Sequence, residues 1–356
     1  MKKIKKRICM IRINMFSQAD SVKGQGVGSA YNELIKLLRT HLVDEFYVTI
    51  NKYGNSDLTH YHTINPTYYA NSFSPARGRK IGYVHFLPDT LEGSIKLPGV
   101  AKKVFYQYVI DFYKRMDQIV VVNPIFIDKL VNYGIEREKV KYIPNFVSKT
   151  EFYEESLASK NAFRHELGIS LDKFVVFSDG QVQERKGIDD FVKMAKANPD
   201  VQFIWAGGFS FGKITDGYSH YKDMVDNPPE NLTFAGIVDR KKLVKYLNIA
   251  DLFVLPSYDE LFPMSVLEAF SCGTPVLLRD LDLYKAIIDG YYMDGKDFGE
   301  MNQVLQKAKN DPHLLKKYSD LSIKASQEYS EDRLAHIWNE FYHEQYKLGK
   351  ELGQIH

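Results

Sequence analysis

The 356-residue chain has only two cysteines, Cys9 and Cys272, and neither stands in a metal-binding spacing. That scarcity excludes a disulfide framework and suits a reducing cytoplasm. Long apolar runs are missing as well. No run of about 18 apolar residues, the length that crosses a bilayer as a helix, occurs in the chain. The basic start, Met1-Lys-Lys-Ile-Lys-Lys-Arg7, imitates the end of a secretory signal, but Arg12 and Asn14 interrupt the apolar segment such a signal needs. Residues 8–15 therefore read as a first strand. Internal repeats and low-complexity segments are also absent.

What is present is a globular composition, 44% hydrophobic and 26% charged, at a length that suits two domains. The net charge of +2 hides an asymmetry. Residues 1–150 carry 23 Lys/Arg against 12 Asp/Glu, whereas the remainder carries 24 against 33. The halves should attract each other and meet different partners. An anionic membrane surface is one candidate for the basic half, and ordinary solvated lysines are the alternative.

Short apolar strands alternate with helices along the chain. Strands are expected at 46–50, 80–85, 118–122 and 140–143, with helices at 30–38, 100–115 and 125–133. The aromatic, His-rich stretch 59–74 fits neither pattern, and 151–160 reads as a linker plus a helix start. The second half is clearer, with strands at 173–178, 202–206, 232–236 and 252–255 and helices at 187–198 and 239–248. Such alternation predicts an α/β fold of parallel sheets covered on both faces, whose ligands bind beyond the strands' carboxyl ends. Two Rossmann-like, doubly wound domains, 1–160 and 161–330, would face a central cleft. A C-terminal helix within 331–356 would pack back toward the first.

The densest chemistry lies in 257–276, where Glu260 and Glu268 flank a predicted helix start at Pro263-Met264. Proline suits a helix's first turn, Gly273 stops the helix, and the next strand begins at Pro275. Free N–H groups at such a start can receive an anion, and flanking carboxylates can grip sugar hydroxyls. That combination fits a nucleotide-sugar site. Glu268 could equally be an acid favouring the helix dipole. Arg185 and Lys186, in Gly180-Gln-Val-Gln-Glu-Arg-Lys-Gly187, lie where a strand hands over to a helix, and suit either a diphosphate or a solvated loop. Gly24-Gln-Gly-Val-Gly28 follows the first strand and allows close backbone approach to a ligand, or simply makes a turn. His85, at a strand end after Gly82-Tyr-Val84, is either structural or cleft-facing.

Together, the Glu-x7-Glu segment, the Arg-Lys-Gly turn and the Phe-Ala-Gly236 strand resemble the family-four retaining glycosyltransferases of GT-B architecture. The resemblance covers nearly the whole chain and is densest from 175 to 276. It implies that Glu268 holds the donor ribose, that Glu260 holds the donor hexose hydroxyls, and that Arg185 and Lys186 neutralise the diphosphate. It places backbone N–H groups of Met264 and Ser265 on phosphate or sugar oxygens, Gly26, Val27 and Gly28 facing the ligand, and His85 near the hexose. Asn123 and Asn145 fall where the family has cleft-lining loops. The chain departs from the pattern at Gln181, where the family often has arginine, and at Pro263, where it usually has glycine. Asp280-Leu-Asp282 lacks the context of a metal-binding triplet, and no catalytic metal or cofactor beyond the UDP-sugar donor is expected.

The lysine- and aromatic-rich stretch 94–115 suits the interface of an anionic bilayer, or a helix burying its aromatics with lysines in water. No nucleic-acid-binding motif accompanies it. The segments 13–31 and 82–88 narrow the resemblance to Gram-positive enzymes that add a second hexose, from UDP-galactose or UDP-glucose, to monoglucosyl-diacylglycerol for the anchor of lipoteichoic acid. This implies a cytoplasmic enzyme peripherally bound at the inner membrane face. A soluble or polyprenyl-linked glycan is the alternative acceptor, and a non-catalytic nucleotide-sugar-binding protein the alternative role. Retention with no evident side-chain nucleophile implies front-face displacement.

Overall fold

A computed structural model describes residues 10–18, 26–88, 99–209 and 217–355. Two six-stranded sheets, parallel throughout, form the two halves. The first comprises β1 (Ile11–Phe16), β2 (Phe46–Ile50), β3 (Leu58–Tyr61), β4 (Arg79–Val84), β5 (Gln118–Val121) and β6 (Val140–Tyr142), in spatial order β2-β1-β3-β4-β5-β6. The second comprises β7 (Val175–Asp179), β8 (Gln202–Ala206), β9 (Leu232–Gly236), β10 (Leu252–Leu255), β11 (Val276–Arg279) and β12 (Met293–Gly295), in spatial order β12-β11-β10-β7-β8-β9. Strand order reverses beside β1 in one sheet and beside β7 in the other. Crevices open at such reversals, beyond the strands' carboxyl ends. β10 and β11 are buried along their whole length, as strands covered by helices on both faces must be.

The stretch 59–74 that fits no sequence pattern is β3 followed by the helix Pro66–Asn71, capped by Asn65 through its side-chain oxygen on the Thr67 N–H. The β3 residues Thr59 and His60 are buried polar groups, which hid the strand from a search for apolar alternation. The helix Leu157–Glu166 contains the expected division at 160 and packs on the helix Arg240–Ile249 of the second half, with Phe163 and Tyr246 rings 5.3 Å apart. The last helix, Glu331–Glu351, returns to the first sheet. There Tyr342 Oη lies 2.8 Å from His60 Nδ1, and Arg79 Nε donates to Gln345 Oε1 at 2.8 Å. A single apolar cluster runs from Ile13 and Leu37 through Val266 and Phe270 to Trp338. Both halves are thus packed around one cleft.

Candidate active site

The cleft has a volume of about 760 Å³ and is walled by the strand ends of both sheets. Its second-half wall depends on two close backbone approaches. Gly207, at φ 140°, ends β8 so near β7 that a Cβ would lie 1.8 Å from Gly180 O. Gly187, at φ 70°, closes the short turn Glu184–Lys186, and a Cβ there would meet Pro256 O at 2.1 Å. Only glycine fits either position. The turn is thereby pressed onto the loop leaving β10, and the Tyr258 N–H donates to Arg185 O at 2.8 Å. Behind both, the buried Arg279 pairs with Asp190 at 2.6 Å, and Tyr258 Oη donates to the same carboxylate at 2.8 Å.

This scaffold brings Arg185, Lys186 and Glu260 together. Lys186 Nζ is ion-paired with Glu260 Oε1, Arg185 Nη1 lies 3.6 Å from Glu260 Oε2, and Arg185 also donates to Asp259 O at 2.7 Å. Burial favours the neutral acid at Glu260, but the charges of Lys186 and Arg185 outweigh it and hold the carboxyl below its usual range. The trio carries net positive charge toward the cleft. Beside it the helix Met264–Ser271 starts at Met264 with Pro263 as its cap residue, one position before the predicted placement. No side chain caps this start, and Met264 and Ser265 line the cleft. Anions suit such an end.

Glu268, one turn into that helix, is buried with its carboxyl raised, first by desolvation and then by the nearby Asp179. Arg240 Nη1, 3.7 Å from Glu268 Oε1, opposes the shift. Asp179, half-buried at the end of β7, is itself raised by burial despite Lys186 and a hydrogen bond with Ser265. Reading the sequence missed Asp179 and Arg240. The signal for Asp179 was its place at the carboxyl end of the strand beside the order reversal. Arg240 sits next to the Asp239 cap that opens its helix, and reaches Glu33 Oε1 at 2.5 Å and Glu151 Oε2 at 3.0 Å across the cleft.

On the first-half wall, His85 follows β4 and lines the cleft. Burial lowers it to about 3, so near neutral pH its imidazole is a neutral hydrogen-bonding group and not a cation. The glycine segment departs from expectation. Gly26, Val27 and Gly28 are the first turn of the helix Gly26–Thr40 and not a loop, while Gly24 and Gln25 lie outside the described residues. Gly28 is buried, and the next residues, Ser29 and Ala30, face the cleft. The helix reaches back to Gly26 because residues 29–38 supply an apolar face that a preceding turn can extend. Asn145 lines the cleft as well. Asp280 and Asp282 share Lys285 Nζ at 2.7 and 3.6 Å.

The arrangement can hold a doubly anionic group between Lys186, Arg185 and a helix start, with hydroxyl acceptors on either side and an apolar slot at Gly207, Gly208 and Ile237. Comparison with known proteins agrees. The family described as "Glycosyl transferases group 1" matches residues 159–328, and "Glycosyltransferase Family 4" matches 26–151. The chain is 50% identical to the "Alpha-galactosylglucosyldiacylglycerol synthase" of Streptococcus pneumoniae strain R6, over 96% of this chain and 91% of that one. It is 27% identical to the "Processive diacylglycerol alpha-glucosyltransferase" of Acholeplasma laidlawii, over 77% of this chain and 80% of that one. Among solved structures, Anabaena HepE in complex with UDP and glucose superimposes with a TM-score of 0.76 at 16% identity, covering 94% of this chain and all of that one. Two parallel sheets meeting at an anion-ready cleft, and half of all residues shared with a synthase along nearly its full length, lead to one conclusion: the chain belongs to the family-four glycosyltransferases of GT-B architecture.

Proposed function

We propose that this glycosyltransferase moves a hexose, galactose or glucose, from its UDP-sugar to a membrane glycolipid such as monoglucosyl-diacylglycerol, with retention at the anomeric carbon. The observation that carries the acceptor is the 50% identity to a synthase named for an α-galactosylglucosyldiacylglycerol. UDP-hexoses are α-linked, so an α-linked product corresponds to retention. The product would serve as the glycolipid anchor of lipoteichoic acid.

In this reading the diphosphate lies against Lys186 and Arg185 with the Met264 and Ser265 N–H groups, the ribose on Glu268 and the hexose between Glu260 and His85. The acceptor oxygen bonds to the anomeric carbon on the face the phosphate leaves. The C–O bond to the phosphate breaks with its electron pair going to UDP, and the acceptor proton passes to a phosphate oxygen. Lys186 and Arg185 stabilise the charge growing on UDP, and being fixed in place they need not reorganise during the step.

The first half would meet the membrane. Among the described residues no helix is long and apolar enough to cross one. The helix Gly99–Lys114 buries Val109, Phe112 and Tyr113 in the core, whereas Val100 is 80% and Val104 66% exposed beside exposed Lys103. That exposed end suits peripheral docking on an anionic leaflet at the inner face of the membrane.

The test is transfer of labelled hexose from UDP-galactose and UDP-glucose, in parallel, into vesicles holding monoglucosyl-diacylglycerol. Lipid-extractable product with an α-linkage is expected from one donor. A β-linked product overturns retention, and label confined to a soluble or polyprenyl-linked glycan overturns the glycolipid acceptor.

A further inference from the structure

The loop between β10 and the helix Met264–Ser271 carries Glu260, yet two of its carbonyls are held by the other half of the molecule. Asn123, fully buried just after β5, donates from Nδ2 to Leu261 O at 3.0 Å and to Leu283 O at 2.9 Å. Its Oδ1 accepts the Ile125 N–H at 3.1 Å, which fixes the amide's orientation. Asn145, 7% exposed, donates from Nδ2 to Phe262 O at 3.0 Å, and its Oδ1 lies 3.4 Å from the Tyr83 hydroxyl. The bonded carbonyls are those of the two residues directly after Glu260, and Pro263, which follows them, supplies no N–H and no side-chain cap.

We propose that Asn123 and Asn145 are positioning residues that aim the Glu260 carboxylate from across the cleft. A buried carbonyl left without a donor costs free energy, so the loop settles where both amides reach it. The donor wall is therefore complete only while the first half is docked against it. Arg185 and Lys186 also touch this loop, through Asp259 O and the Glu260 carboxylate, but their own turn is seated by Gly187 against Pro256 and Glu268 lies a full turn into its helix, so the loss of an asparagine contact acts first on Glu260 and the hexose end and less on UDP. The inference rests on the proposed UDP-hexose reading for its kinetic consequence, but not for the contact itself.

Asn145→Asp keeps the side chain's size and replaces the donor facing Phe262 O with an acceptor. Four measurements on the full chain test it: hydrogen exchange of residues 261–266, UDP affinity by calorimetry, hexose transfer and the melting temperature. Faster exchange in that segment, UDP affinity within about threefold of wild type and kcat lower by about tenfold or more support the proposal. Unchanged exchange overturns it whatever the donor proves to be. Exchange that rises while kcat is unchanged overturns the positioning role. Transfer and UDP affinity falling equally, together with a lower melting temperature, mark a merely structural contact and overturn it too. Wild-type protein that transfers hexose from neither donor refutes the proposed function separately, leaving the exchange result to judge the contact. Tyr83→Phe, which removes the hydroxyl beside Asn145 Oδ1, should shift the same readouts in the same direction by less, and serves if the aspartate variant does not fold.

Discussion

In the second half, Glu260, Met264, Ser265 and Glu268 enter the cleft from one loop and one helix, with Arg185 and Lys186 from a single turn facing them. In the first half the cleft groups are dispersed: Ser29 on a helix, His85 after a strand, and Asn145 and Glu151 beyond the last strand. On the proposed reading the difference is chemical. A diphosphate and a ribose present charges and hydroxyls at fixed spacing, and a short continuous segment can match them. The facing wall would have to admit an acceptor, and its lining mixes neutral groups such as His85 and Asn145 with the charged Glu33, Lys36 and Glu151. Second-half substitutions should therefore act on donor chemistry, and first-half substitutions on acceptor access, docking and the closure of the two halves.

The largest effect is expected at Lys186. On the proposed reading, Lys186→Ala should lower kcat by roughly 10³-fold, because a preorganised cation facing the leaving group is lost. It also leaves the buried Glu260 with Arg185 as its remaining cation, at a stability cost of roughly 1–3 kcal/mol. Pairing it with Glu260→Gln separates the two losses. The double variant should recover most of the melting temperature and none of the transfer, as read by calorimetry and the labelled-donor assay. Recovery of transfer would mean that the lysine serves only to neutralise Glu260.

Next in size is Glu268→Ala, which on the proposed reading should weaken UDP binding roughly tenfold through loss of the hydrogen bonds to the ribose. The 2′,3′-dideoxy analogue of UDP should bind wild type and variant alike, since it offers no hydroxyls to grip. A variant that loses affinity for the analogue to the same degree would place Glu268 away from the ribose.

These two predictions concern residues that could be read directly from the chain, and the contrast between the halves explains why. The Glu-x7-Glu spacing, the Arg-Lys-Gly turn and a helix start after Pro263 are local patterns, and local geometry is what a sequence displays. The alternation of strands and helices was legible for the same reason, and the two parallel sheets confirm it. Arg240 was not legible, because its partners are distant in sequence, and Glu33 and Glu151 meet it only when the halves pack. Asp179 was hidden as the polar end of an apolar strand. At Gly26–Gly28 the glycines suggested a loop, yet the helix extends through them, since helical propensity is a weak preference that tertiary packing overrides.

A smaller effect should come from the first half. Lys103 and Lys114 are exposed and fall on one face of the helix Gly99–Lys114. Reversing both to glutamate should weaken co-sedimentation with anionic vesicles by about tenfold or more, at roughly 1 kcal/mol per basic residue near the surface. UDP affinity should not change. Equal binding of both proteins to anionic vesicles would move the membrane contact off this helix, and loss of UDP affinity would undo the division of labour between the halves.

The smallest expected effect tests how the halves communicate. Glu33 belongs to the first half, is buried, and meets Arg240 of the second at 2.5 Å, with Glu151, Lys36 and Glu331 as its other charged neighbours. Burial raises it to about 7, because Arg240 and Lys36 only partly offset desolvation and the two added carboxylates. A carboxyl whose folded value lies above its unfolded one stabilises the fold while protonated. Its contribution is complete below the ordinary value of 4.5 and is lost as pH rises through about 7. The ligand-free protein should therefore lose melting temperature across that window relative to Glu33→Gln, which cannot ionise. Groups held low, such as Glu260 and Asp190, lose stability in the opposite direction, as pH falls below the usual carboxylate range, and leave the comparison undisturbed. Parallel curves for the two proteins would mean that Arg240 keeps Glu33 ionised throughout. The ion pair across the cleft would then be a permanent tie between the halves, and not one that weakens when a proton binds.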